Sequence, residues 1–196
     1  MAVVYTVGHS NQTLEAFLEL LKGHQVEVLV DVRTSPISAY APHFNKAVLE
    51  KQLPLHGITY RFMGEELGGR PSEREYYDAR GFVLYGRMAR SFAFRQGIEK
   101  LLMVSEQNRL AIMCSEENPA ICHRHLLIAR VLTDEKIDIL HIRGNGTTET
   151  YQQVVSESEA GASQAQSDLF DSAGEEQWKS IRSVLRENPQ EPSLGY

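Results

Sequence analysis

The chain has 196 residues, 42% of them apolar and 23% charged, which suits one well-buried α/β domain plus an appendage. Its net charge of −6 is unevenly spread, with 17 Lys/Arg against 18 Asp/Glu in residues 1–150 and 3 against 8 in residues 151–196, so the near-neutral body argues only weakly against nucleic acid. No apolar run reaches membrane-spanning length, and the opening Met-Ala-Val-Val-Tyr lacks the basic start and apolar core of an export signal. With only two cysteines and no such signal, a reducing cytoplasm is expected rather than a structural disulfide.

Residues 3–7 read as an apolar strand ending in Gly8-His9-Ser10. Leu14, Phe17, Leu18 and Leu21 recur at helical spacing, with Ser10, Asn11 or Thr13 available as cap. Residues 26–30 are nearly all apolar, as in a central parallel strand, and run into Asp31-Val32-Arg33. A loop over 34–44 leads to a short helix over 45–52, and residues 58–63 form another strand before Leu67-Gly68-Gly69-Arg70-Pro71. Residues 72–92 show no clear period. A helix over 92–106 then precedes a strand over 110–114, a helix over 123–134 and a last strand over 138–142 that ends in Arg143-Gly144-Asn145-Gly146.

This alternation predicts a three-layer α/β fold with a mainly parallel sheet of about five strands flanked by helices. Residues 156–167, rich in Ser, Glu, Ala and Gln, read as a linker. Ser172-Ala-Gly-Glu175 resembles a capping box, and Trp178, Ile181 and Leu185 would form one face of a C-terminal helix. The predicted division is an α/β domain over 1–150, then an acidic linker, short peptide motif and helix over 151–196.

The densest chemistry lies in Cys114-Ser-Glu-Glu-Asn-Pro-Ala-Ile-Cys122-His-Arg-His125, between a buried strand and a helix start. Cys122 at that helix start would have backbone N–H groups and the helix dipole favouring a thiolate or a bound anion. In a parallel sheet all strand C-termini open on one edge, where ligands bind. The candidates gathered there for acid, base or nucleophile are His9, Asp31, Cys114, Glu116 and Cys122. Those for holding a ligand or phosphate are Ser10, Arg33, Gly68, Gly69, His123, Arg124 and Arg143. Against them stand blander roles: core thiols, an Asp31–Arg33 pair, a turn histidine at His9 and a tight turn at Gly68-Gly69.

His9, His43, Cys114, Cys122, His123 and His125 contain metal-ligating types but lack the paired spacing of a strong motif. No metal ligand is assigned and no cofactor is required, a transition metal being kept as an alternative. Residues 70–95 mix Arg70, Arg74, Arg80, Arg87, Arg90 and Arg95 with Tyr76, Tyr77, Phe82, Tyr85, Phe92 and Phe94. Such interleaving suits phosphate contact with base stacking; the blander reading is a helix with core aromatics and solvated arginines.

Four segments in combination, Thr6-Val-Gly-His-Ser10, Asp31-Val-Arg33 with Pro36 and Ser38, Leu67-Gly-Gly69, and Cys114…Pro119…Cys122-His-Arg124, resemble the family catalogued as domain of unknown function 488. The resemblance spans residues 3 to about 146 and implies an α/β domain; it brings no established activity. In the tail, Gln166-Ser-Asp-Leu-Phe170 resembles the short peptide by which bacterial replication and repair proteins bind the sliding clamp, with Ser167 departing from the commoner leucine. Gln166, Leu169 and Phe170 would make that contact.

The resulting expectation is an enzyme of nucleotide or nucleic-acid metabolism, hydrolysing a phosphodiester or N-glycosidic bond and clamp-associated in replication or repair. The alternatives are a thiol-dependent sulfur or disulfide transfer enzyme and a non-catalytic nucleic-acid-binding module. No membrane partner is expected.

Overall fold

The structure is a computed structural model that describes residues 3–161 and 178–183. Its strands are β1 (Val3–Gly8), β2 (Val28–Asp31), β3 (Thr59–Phe62), β4 (Leu110–Cys114), β5 (Asp138–Ile142) and β6 (Thr148–Thr150). Its helices are α1 (Leu14–Gly23), α2 (Lys46–Gln52), the one-turn α3 (Gly64–Leu67), α4 (Tyr85–Arg90), α5 (Phe92–Ser105), α6 (Arg130–Asp134) and α7 (Tyr151–Gly161). A π-helical turn, Arg124–Ala129, leads directly into α6. The sheet has six strands in the order β3-β2-β4-β1-β5-β6, with β6 alone antiparallel. The three-layer α/β architecture is thus present, with one short strand more than expected.

Side-chain alternation along the strands divides the core into two halves. On β4, Ala111 and Met113 pack with Phe17, Leu21, Phe44 and Leu49, under α1 and α2. Leu110, Ile112 and Cys114 point the other way, among Leu67, Phe94, Leu101 and Leu127, under α3, α5 and the π turn. Helix α1 starts where Thr13 accepts a hydrogen bond from the Ala16 amide, and α5 where Ser91 accepts one from Phe94.

Three segments add to expectation or differ from it. The stretch 72–92 is organised by side-chain anchors: Asp78 Oδ1 accepts from the amides of Arg80 and Phe82, and Tyr77 bridges to Val83. The linker expected from 156 begins instead as the end of α7. Thr150 and Gln153 cap that helix reciprocally, a Thr-x-x-Gln box that offsets the weak apolar period, and Val154 is buried beneath it. Among the described residues, α7 is the helix nearest the C-terminus. At residues 178–183, expected on a helical face, the chain is not helical: Lys179 pairs antiparallel with Leu84, and the chain bends at Ile181 and Arg182. Leu185 and the peptide Gln166–Phe170 lie outside the described residues.

Candidate thiol site

The sheet's C-terminal edge carries two polar networks on opposite faces. On the α1/α2 side, Asp31 is fully buried and its carboxylate is filled by neighbours. Arg33 donates to it through Nε at 2.9 Å and a terminal nitrogen at 2.6 Å, the Arg33 amide donates at 3.0 Å, and the Tyr60 hydroxyl at 2.7 Å. The same guanidinium donates to the Phe44 carbonyl and to Nε2 of His9. Nδ1–H of His9 donates to the Ser10 carbonyl, and the ring stacks on Phe44 at 4.3 Å. Burial holds His9 down to about 4, so the imidazole is neutral. Burial lowers Arg33, but the bond to Asp31 outweighs it and keeps the guanidinium above its ordinary range. Ser10 turns the chain at φ 48 and donates its amide to the Ser115 carbonyl.

On the other face lie the cysteines. Cys114 ends β4, the loop 115–118 follows, and Asn118 caps the 3-10 turn Pro119–Ile121 that sets Cys122 at the helix start. As thiols, Cys114 and Cys122 both donate to one oxygen of Glu116, Oε2, at 3.1 and 3.2 Å. His123 Nδ1 stands 3.6 Å from Cys114 Sγ and 3.9 Å from Cys122 Sγ. His123 Nε2–H donates to the Val32 carbonyl at 3.1 Å, which leaves Nδ1 facing the sulfurs. These two sulfurs and Nδ1 all lie within 4.8 Å of one another, so the trio is also the set of described residues able to hold a metal ion.

The two thiols are electrostatically unequal. Burial raises Cys122, but the hydrogen bond from Cys114, the Arg124 charge and His123 bring it well below the ordinary thiol range. Cys114 is raised by its bond to Cys122, by burial and by the neighbouring negative charges of Cys122 and Glu116. Burial lowers His123, but the bond to Cys122 and the charges of Cys122 and Glu116 raise it overall.

Arg124 is fully buried and holds the loop in shape. Its guanidinium donates to the Glu116 carbonyl, to the Glu117 carbonyl at 2.7 Å and to the Thr6 hydroxyl at 3.2 Å. A side chain at Gly8 would collide with the Glu116 carbonyl, which explains the glycine at the end of β1. Arg143 is paired with Glu117 and Glu149 at 2.7–2.9 Å, away from the thiols. Gly68 packs on Thr34 and Gly69 on the His123 ring.

A cavity of about 310 Å³ opens over the thiols. Of the sequence candidates it brings together Arg33, Gly69, Cys114, Glu116, Cys122 and His123; His9, Ser10, Asp31, Gly68, Arg124 and Arg143 are not in its wall. Arg33 is the one residue of the Asp31 network that lies in the cavity wall. Sequence reasoning missed Thr34, Ser35, Ser115, Ile121 and, from the segment 178–183, Ser180, Ile181 and Arg182. Arg70 and Tyr85 were read only with the arginine–aromatic segment, although the place of Arg70 after the glycine pair signals a rim position. Elsewhere in that segment Tyr77, Tyr85 and Phe94 are buried, while Arg74 and Arg80 lie over Tyr77 and Phe82.

No described helix is long and apolar enough to cross a membrane. The family model described as Domain of unknown function DUF488 matches residues 13–131, a span that contains Asp31, Arg33, the glycine pair and both cysteines. No curated protein and no solved structure matches the chain.

Proposed function

Because the chain belongs to the DUF488 family, whose description assigns no reaction, its chemistry has to be read from the site, and we propose that it is a thiol-dependent transfer enzyme. The observation that carries this reading is the pair of thiols meeting on one carboxylate oxygen in a cavity wall. Cys122 is the attacking thiolate, because it opens a helix and adjoins His123 and Arg124. Cys114 is the resolving thiol, and Glu116 the proton acceptor for it.

With a disulfide substrate RS–SR, Cys122 Sγ⁻ bonds to one sulfur and the second leaves as RS⁻. Cys114 then gives its proton to Glu116 and attacks Cys122 Sγ. The second RS⁻ leaves, and the substrate is reduced as the cysteine pair is oxidised. Two equivalents of an external thiol would return the pair to dithiol and leave as their own disulfide. The test is incubation of reduced protein with 5,5′-dithiobis(2-nitrobenzoate), following thionitrobenzoate release and the peptide masses. Two equivalents released with a Cys114–Cys122 disulfide are expected from the parent, and a trapped Cys122 adduct from Cys114→Ser. Release of one equivalent with a stable adduct on the parent would refute the resolving step.

A second reading, hydrolysis of a phosphodiester or N-glycosidic bond in nucleotide or nucleic-acid metabolism, is favoured by Arg70 and Arg182 in the cavity wall. Glu116 would then act as acid or base, and turnover of bis(p-nitrophenyl) phosphate abolished by Glu116→Gln would support it. Clamp recruitment through Gln166, Leu169 and Phe170 completes that reading; equal clamp pull-down by Leu169→Ala/Phe170→Ala and the parent would reject it.

A further inference from the structure

The thiol cluster also brings together four atoms of metal-ligating type. An exchanging pair requires two sulfurs; here an imidazole nitrogen is also aimed between them, and a carboxylate oxygen touches both. A tetrahedral zinc ion with bonds of about 2.3 Å to sulfur and about 2.05 Å to nitrogen sets sulfur and nitrogen about 3.6 Å apart. The distances from Nδ1 of His123 are 3.6 Å to Cys114 Sγ and 3.9 Å to Cys122 Sγ.

The outer ring nitrogen completes the pattern. Metal-bound histidines usually donate their second N–H to a carbonyl or carboxylate, which fixes ring and tautomer. Nε2–H of His123 does this to Val32 at 3.1 Å, and Gly69 packs on the ring from the side. Charge also closes: two thiolates and Glu116 offset a divalent cation plus the Arg124 guanidinium beside them. Glu116 Oε2, at 3.1 and 3.2 Å from the sulfurs, is about 0.4 Å nearer than a coordinated carboxylate oxygen would be, a shift its loop position allows.

We propose that Cys114, Cys122 and His123 form a binding site for a thiophilic divalent cation of the zinc class, with Glu116 or a ligand from the cavity in the fourth position. Binding releases the remaining thiol protons to solvent. It also occupies Cys122 Sγ, so the metal-bound and disulfide-exchanging forms exclude one another. The inference does not depend on the transfer reaction, since it needs only the ligand geometry.

The test uses the reduced full-length chain, freed of metal by chelator and titrated with Co²⁺, then with Zn²⁺. One Co²⁺ per chain with thiolate-to-cobalt charge-transfer absorption is expected, bleached by one Zn²⁺. Cys114→Ser, Cys122→Ser and His123→Gln should each weaken binding by at least about tenfold. Should those variants fail to fold, the parent alkylated at both cysteines in the folded state serves instead and should bind none. Absence of the band at stoichiometric Co²⁺, or its survival in the cysteine variants or alkylated parent, overturns the proposal. Thionitrobenzoate release by the chelated parent is read separately, so a failed metal site and a failed transfer reaction give different results.

Discussion

Gly69 lies flat against the imidazole of His123: a Cβ built on it would stand 2.5 Å from the ring's Cγ and 2.8 Å from Nδ1. The ring cannot back away without losing its bond to the Val32 carbonyl. Gly69→Ala therefore moves His123 off the thiols. Overpacking of this kind destabilises by roughly 1–3 kcal/mol, readable as a lower urea midpoint. The iodoacetamide rate at Cys122 should change with it. A variant matching the parent in both measurements would mean that the glycine is only a turn.

The buried Asp31–Arg33 pair predicts a different outcome on the opposite face. With both side chains under 5% exposed, removing one partner strands the other charge. Asp31→Asn should lower unfolding free energy by about 3–5 kcal/mol while Cys122 in the folded fraction keeps its alkylation rate. Loss of Cys122 reactivity without loss of stability would instead place Asp31 in the reaction.

All five expected strands and the main helices were legible because apolar runs and helical periods are long-range features of the chain. The face on which each rim residue lies was also implicit in strand alternation. Asp31 shares its parity with Leu29, and Cys114 with Ile112, so they belong to opposite sides of the sheet. Which side chains would be consumed by internal partners was not legible. Arg124 reads as an anion binder at a helix start, yet its donors close a loop whose path only the fold defines. The segment 178–183 was misread because its spacing mimics a helix face, whereas Lys179 and Ser180 are held by pairing with Leu84 and Val83. The Thr150-x-x-Gln153 box was a readable signal that α7 starts there.

Buried neutral imidazoles, His9 and His141 among them, predict acid sensitivity. Burial holds His9 down to about 4, facing Arg33, Asp31 and His43, and His141 to about 2, facing His125, Arg124 and Arg143. Unfolded, each would titrate near 6.5. The unfolded chain therefore binds more protons below that pH, and stability, complete above about 6.5, falls as pH drops. Each histidine contributes a slope of up to about 1.4 kcal/mol per pH unit, His9 down to about 4 and His141 further. Urea denaturation of the parent and His141→Gln between pH 7 and pH 4 checks this. Equal slopes would remove His141 from the account.

The segment 178–183 forms one wall of the cavity through Ser180, Ile181 and Arg182. It is held by Trp178, whose indole N–H donates to the Leu126 carbonyl at 2.7 Å and whose ring lies 4.3 Å from the Arg130 guanidinium carbon. Further along, the Ser180 amide donates to the Val83 carbonyl, and the Ser180 hydroxyl accepts from the Val83 amide, both at 2.9 Å. Trp178→Ala removes the anchor with the larger buried surface and loosens this wall. Alkylation of Cys122 should then accelerate several-fold with a bulky aryl maleimide and much less with iodoacetamide, because only the larger reagent is excluded by the wall. Peptide mapping of the two rates gives their ratio. A ratio equal to that of the parent would mean that the segment lines the cavity without restricting entry to it.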